Sequence, residues 1–221
     1  AVYAESYLQW AAEQNLCARF PPGRIVSCSS NAAAPAVPMD SVLASAEQTD
    51  RLIDALSIRN LDARPRVTGR EQFFATFGRF RAVYADRPAR TGDAIAELVR
   101  RAAAQNVHHV EIILFDDART ATGRAVDSIA ATVSYTDDWA LLRDRLLDAG
   151  VRDAVARGQS FLDRVTARAD SLLGCGDDPR PEACRVTRRY RMHAVRVLPQ
   201  TAVFARLLYG IERAVDDPRV E

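Results

Sequence analysis

The sequence predicts an α/β fold, mostly helical, that forms an incomplete TIM-type (β/α) barrel with enlarged helical insertions. Three observations carry that expectation. Val107–Phe115 is a short apolar, β-branched run bounded by polar residues, which reads as a strand covered on both faces, as in a parallel sheet. Arg185–Val197 is a second, more polar strand candidate. Helical periodicity fills the chain between and around the two, and strands separated by helices are the pattern of parallel βα units. Two strands make a poor sheet by themselves, so the barrel is expected to be partial. A standalone helical domain is the alternative. The chain is read as a single partial barrel domain spanning 1–221: a helical N-terminal region over 1–106, a strand over 107–115, a helical insertion over 116–182, and a strand and helix over 183–221.

In order along the chain, residues 3–15 read as a helix with Tyr7, Leu8, Ala11 and Ala12 on one face. That helix opens without an upstream Ser, Thr, Asp or Asn cap, so residues are expected to precede Ala1. Residues 18–38, rich in Pro, Ser and Ala, read as loop. A helix is expected over 41–58, with Leu52, Ile53 and Leu56 at helical spacing, and Pro65 closes that region. Thr68-Gly69-Arg70-Glu71 has the spacing of a capping box and opens a helix to Tyr84. Pro88–Gly92 reads as a turn, with Asp93 capping a helix over 94–105. Residues 116–135 look irregular. Asp137–Ala149 and Val151–Leu173 read as helices punctuated by Gly150. Pro199–Val215 is a helix, and 216–221 a turn.

The bulk properties exclude several classes. The net charge is +1 and acids are interleaved with bases, so no nucleic-acid surface is expected. No apolar run approaches the roughly 20 residues of a transmembrane helix. All 30 basic residues are Arg, which excludes Schiff-base and P-loop chemistry from this chain. The three histidines, His108, His109 and His193, fall in neither a His-x-His nor a His-Glu-x-x-His pattern. Neighbouring strand residues point to opposite faces, so His108 and His109 cannot line one site. No zinc centre is expected from these residues alone.

Four cysteines form two close pairs, Cys17 with Cys28 and Cys175 with Cys184, each closing a short Pro-containing loop. Two local disulfides fit an exported protein, periplasmic or secreted. Unpaired thiols in a cytoplasmic protein are the alternative. Phe73, Phe77, Phe80 and Tyr84 fall on one helical stripe with Phe74 beside them. Such a stripe is either core or the wall of an apolar pocket.

Three runs carry a resemblance: the opening Ala1-Val2-Tyr3-Ala4-Glu5-Ser6, the run Phe73-Phe74-Ala75-Thr76-Phe77, and Ala102-Ala103-Ala104-Gln105-Asn106-Val107 before the first strand. Together they resemble bacterial members of the adenosine deaminase family, over almost the whole length. The resemblance implies a zinc-dependent hydrolase that deaminates adenosine or a related aminopurine nucleoside. Its His-x-His ligands would precede Ala1, and its remaining metal ligands and catalytic residues would follow Glu221. No catalytic or metal-binding residue, and no zinc, is then expected in this chain, which would be inactive alone. Phe73, Phe74 and Phe77 would face the purine substrate, with Phe74 standing where Leu is commoner. Val110-Glu111-Ile112 resembles the family's second strand, making Glu111 a secondary site candidate. Arg185–Arg196 resembles its third, which places His193 near a pocket-lining position. A non-catalytic helical binding or structural domain is the rival from another class.

Overall fold

The computed structural model describes residues 2–29, 35–61, 67–84, 87–113, 121–194 and 196–221. The chain divides into two compact units, Ala1–Ala94 and Ile95–Glu221. Both are rich in helix, with small sheets.

The first unit begins with α1 (Ala4–Glu13), whose Leu8 and Ala11 are buried and whose start carries no side-chain cap. Residues 18–38 are not all loop, as the composition suggests. β1 (Cys17–Arg19) pairs antiparallel with β2 (Arg24–Val26) and with β3 (Ala36–Pro38), in the order β2-β1-β3. The β1–β2 turn requires Gly23, at φ +86°, because a Cβ there would lie 2.4 Å from Ala55 Cβ. The expected helix over 41–58 is two helices, α2 (Met39–Leu43) and α3 (Ala46–Leu56). Ser45 breaks them by capping α3, its Oγ accepting from the Gln48 N–H at 3.3 Å. Pro65 lies outside the described residues. The capping box forms as expected at the start of α4 (Gly69–Arg79), which ends before a 3₁₀ turn over Arg81–Tyr84.

The expected turn at Pro88–Gly92 is instead the start of α5 (Arg87–Ala104). Proline is tolerated in a first helical turn, where its missing N–H has no partner to lose. Asp93 is therefore no cap. It is buried within the helix and paired with Arg90 at 2.6 Å.

The second unit is built on β4 (His109–Ile113) and β5 (Thr187–Arg191), which pair in parallel with His109 opposite Thr187 and Ile113 opposite Arg191. Leu114 and Phe115, the expected end of the first strand, lie outside the described residues, as do residues 116–120. The second strand is shorter than its sequence pattern, preceded by a 3₁₀ turn over Glu182–Arg185. The final residues do more than turn: Val220 bridges Tyr190 in parallel, with the Tyr190 N–H donating to Arg219 O and the Glu221 N–H to Tyr190 O. A third parallel segment thus lies beside β5.

The stretch read as irregular holds α6 (Ala121–Thr132), with Val126 and Ala130 buried at i, i+4. α7 (Trp139–Leu146) is capped by Asp138 and joined to α8 (Arg152–Leu173) through one π turn, where Gly150 takes φ +114°. That matches the punctuation expected there. α9 (Gln200–Asp216) links β5 to the last segment. It crosses α8 at Gly158, where a Cβ would lie 2.0 Å from the Tyr209 hydroxyl. One core packs Val110, Ile112 and Tyr190 against Val99, Leu162 and Val165. A second joins α6 to α9 through Leu146, Val151, Ala205 and Leu208.

Both cysteine pairs are disulfides, with Cα separations of 5.0 Å for Cys17–Cys28 and 5.6 Å for Cys175–Cys184. Two disulfides fit a secreted protein. Among the described residues, no helix is long and apolar enough to cross a membrane.

Candidate functional site

The aromatic candidates lie in the first unit on α4. Thr68 and Glu71 fix the start of that helix: Thr68 Oγ1 accepts from the Glu71 N–H, and Glu71 Oε2 accepts from the Thr68 N–H at 2.8 Å. The Thr68 backbone bond, then its hydroxyl, holds the Glu71 carboxyl below the usual range. The face that α4 turns inward is polar. Gln72 is 1% exposed. Its Nε2 donates to Ala55 O at 2.9 Å and Ser57 O at 2.8 Å, the carbonyls that end α3. Its Oε1 accepts from Arg79 Nη1 at 3.2 Å.

The outward face carries Phe73 at 52%, Phe74 at 62% and Phe77 at 37% exposure. Their rings meet edge to face, Phe73 to Phe77 at 5.1 Å and Phe73 to Phe74 at 5.4 Å. The Arg70 guanidinium sits 6.0 Å from the Phe74 ring. The three rings therefore lie outside the core. Phe80 turns inward and stacks on Tyr7 at 4.4 Å, while the Tyr84 hydroxyl donates to that of Tyr7 at 3.2 Å. Burial pushes both phenols up, that of Tyr84 further with the Tyr7 hydroxyl beside it. Both stay neutral and pack against Phe80.

The secondary candidates lie in the second unit. The sequence predicts a strand covered on both faces, but only one face of β4 is covered. Val110 and Ile112 are half-buried, whereas His109, Glu111 and Ile113 are exposed. The open face is charged. Arg191 pairs with Glu111 at 2.9 Å, His109 Nε2 lies 3.9 Å from Glu111, and Arg189 pairs with Glu221 at 3.3 Å. The arginines were legible as partners, since Arg189 and Arg191 share a face at a period of two. His193 follows β5 and lines a shallow groove of about 190 Å³ with Met192, Gly210, Ile211 and Glu221.

Among the described residues, no three His, Cys, Asp or Glu side chains converge, and all four cysteines are oxidised. These residues do not fit a zinc site, and no metal-dependent step is assigned to them. Compared with known proteins, the chain matches no family model, no curated protein and no solved structure.

Proposed function

We propose that this chain belongs to a (β/α)-barrel hydrolase, similar to the adenosine deaminases, that deaminates adenosine or a related aminopurine nucleoside with zinc held by residues outside these 221. One observation carries the barrel: β4, β5 and residues 219–221 run parallel and adjacent in chain order, joined through helices. Successive parallel strands with helical crossovers are the unit from which such barrels repeat. The charged face of β4 and β5 is then the barrel's inward side. Phe73, Phe74 and Phe77 would wall the purine, since an exposed, edge-to-face aromatic group offers a flat ring a π surface. Glu111 and His193 would lie on the substrate side of their strands. The two disulfides suit a periplasmic site of action.

A non-catalytic binding domain is the second reading. It is favoured by the α4 aromatic face, which is complete without any barrel. An adenosine deamination assay with added zinc separates the two. The 221-residue chain should release no ammonia, and the product of its whole reading frame should release it. A whole product that lacks deaminase activity, or that lacks a His-x-His ahead of Ala1, overturns the hydrolase reading.

A further inference from the structure

The side of α9 that faces solvent is apolar. Ala202, Ala205, Leu208 and Tyr209 pack into the core of the second unit, and Arg206 and Arg213 are buried as well. Outside remain Leu207, Ile211 and Val215, 50%, 60% and 80% exposed, with Ala214 among them. The solvated face of a surface helix is ordinarily polar. Phe204 extends the stripe toward the start of the helix, half-buried, with the exposed Trp139 ring against it at 5.4 Å.

The stripe has the spacing of a coiled-coil seam. Phe204, Leu207, Ile211 and Ala214 follow at intervals of three and four residues, as the a and d positions of successive heptads do. The flanking e and g positions, Val203, Leu208, Gly210 and Val215, carry no charge. The pattern is also symmetrical about Tyr209. Laid against itself in reverse, the seam sets Phe204 opposite Ala214, Leu207 opposite Ile211 and Val203 opposite Val215. The largest side chain thus meets the smallest, and two branched chains fill the centre. The nearby charges favour the same direction. Glu212 and Asp216 both lie in the last part of α9. A parallel copy would bring each beside its equivalent, whereas an antiparallel copy sets them at opposite ends and opposes the two helix dipoles.

We infer that this face pairs α9 with α9 of a second copy of the chain, antiparallel about a two-fold axis at the level of Tyr209. A two-fold interface is self-complementary, so one stripe supplies both halves. The exposed parts of Trp139, Leu207, Ile211 and Val215 come to ~500 Å² per copy and ~1,000 Å² in the pair, the lower limit for a specific interface, which fits a reversible dimer. A lipid surface is a poorer occupant, since anionic lipid attracts basic flanks and the exposed charge beside the stripe is that of Glu212 and Asp216. The inference is independent of the purine and of the barrel.

Sedimentation equilibrium of the 221-residue chain from about 1 to about 500 µM tests it. The chain should be monomeric at the low end and dimeric at the high end, as small interfaces associate weakly. Ile211→Arg should raise the dissociation constant at least about tenfold, with circular dichroism unchanged and both native disulfides intact by peptide mapping. Cysteine cross-linking reads the direction separately, since every native cysteine is already paired. A mixture of Leu207→Cys and Ile211→Cys chains should cross-link between 207 of one copy and 211 of the other. Each variant alone should cross-link at least about tenfold more slowly, because only facing residues come within disulfide reach. A chain that stays monomeric at the highest concentration, a dimer that Ile211→Arg leaves intact, or faster cross-linking of Leu207→Cys with itself would each overturn the inference. Should Ile211→Arg fail to fold, the cross-linking pattern of the two cysteine variants decides.

Discussion

α4 and α9 both leave apolar side chains in solvent, and they are fastened to their units in opposite ways. α9 buries Ala202, Ala205, Leu208 and Tyr209 and is held by packing. α4 buries Gln72 and Thr76 and is held largely by hydrogen bonds to the end of α3. A helix with apolar stripes on two sides buries one of them and leaves the other in solvent. A helix with a polar inner face and an aromatic outer one holds its rings outside the core, where the fold draws little on them. The difference separates two kinds of exposed hydrophobe that composition alone would lump together.

The comparison breaks most directly at Gln72. Gln72→Leu keeps the volume but leaves the Ser57 carbonyl without its amide donor, while the Ala55 carbonyl keeps the Arg79 guanidinium. A buried acceptor that loses its partner costs about 1–3 kcal/mol, so urea denaturation should show a loss of about 1–3 kcal/mol. A loss below about 1 kcal/mol would mean that α4 is held by something other than these bonds.

The disulfides come next, and they separate the two units. The sequence separations are 11 and 9 residues. By the chain-entropy model, loops of that size contribute about 2–3 kcal/mol each. Paired Cys→Ser replacement at Cys17 and Cys28 should lower the stability of the first unit. Replacement at Cys175 and Cys184 should lower that of the second, with proteolysis reporting which unit opens. Cleavage confined to one unit whichever pair is removed would contradict this assignment.

Asp217 tests the second unit through pH. Its burial opposes ionisation, but hydrogen bonds from Arg219 and Gln159 overcome this and bring its pKa from 3.8 to about 2. A folded pKa below the unfolded one stabilises above the unfolded value, and the gain is lost as pH falls from about 4 to about 2. Asp217→Asn should remove about 2 kcal/mol at pH 7 and flatten the pH dependence of stability in that window. An unchanged slope between pH 4 and 2 would assign the acid sensitivity to other carboxylates.

What the sequence shows of this fold follows from how local each determinant is. The capping box at Thr68 and Glu71, the break at Gly150 and both cysteine pairings are short-range, and each is found where its spacing places it. The parallel pairing of β4 and β5 was legible from helices set between two strand-like runs. The hairpin of β1 and β2 was not, because three-residue strands leave almost no periodicity and Pro21, Pro22 and Gly23 read as loop. α6 was hidden by its Thr, Ser and Gly content, although Val126, Ile129 and Ala130 sit at helical spacing. The open face of β4 could not be read from an apolar run, since nothing local says whether a second layer covers it. Among the site candidates, the aromatic stripe was legible as a stripe. Its outward direction depends on Gln72 reaching α3, a contact 15 to 18 residues away in sequence.

Phe77→Ala sharpens the comparison with the smallest effect on stability. A phenylalanine in a dry core costs about 3–5 kcal/mol when truncated to alanine, because a cavity is left behind. Phe77 is 37% exposed, touches Phe73 edge to face at 5.1 Å and lies 6.2 Å from Phe80. Solvent can enter the space it vacates, so the loss should stay below about 1 kcal/mol and the fall in Tm within about 4 °C. The ligand effect should be the larger one. On the hydrolase reading proposed above, Phe77→Ala in the whole protein should raise KM for the nucleoside, with Phe73→Ala acting in the same direction, because a wall that stacked on the purine would contribute to binding before any bond is broken. Set beside Gln72→Leu, which should unfold the protein more easily and leave the rings chemically untouched, the pair divides α4 into a face for the fold and a face for the ligand. A sharply lowered Tm for Phe77→Ala with KM unchanged in the folded fraction would return the ring to the core and leave α4 no different in kind from α9.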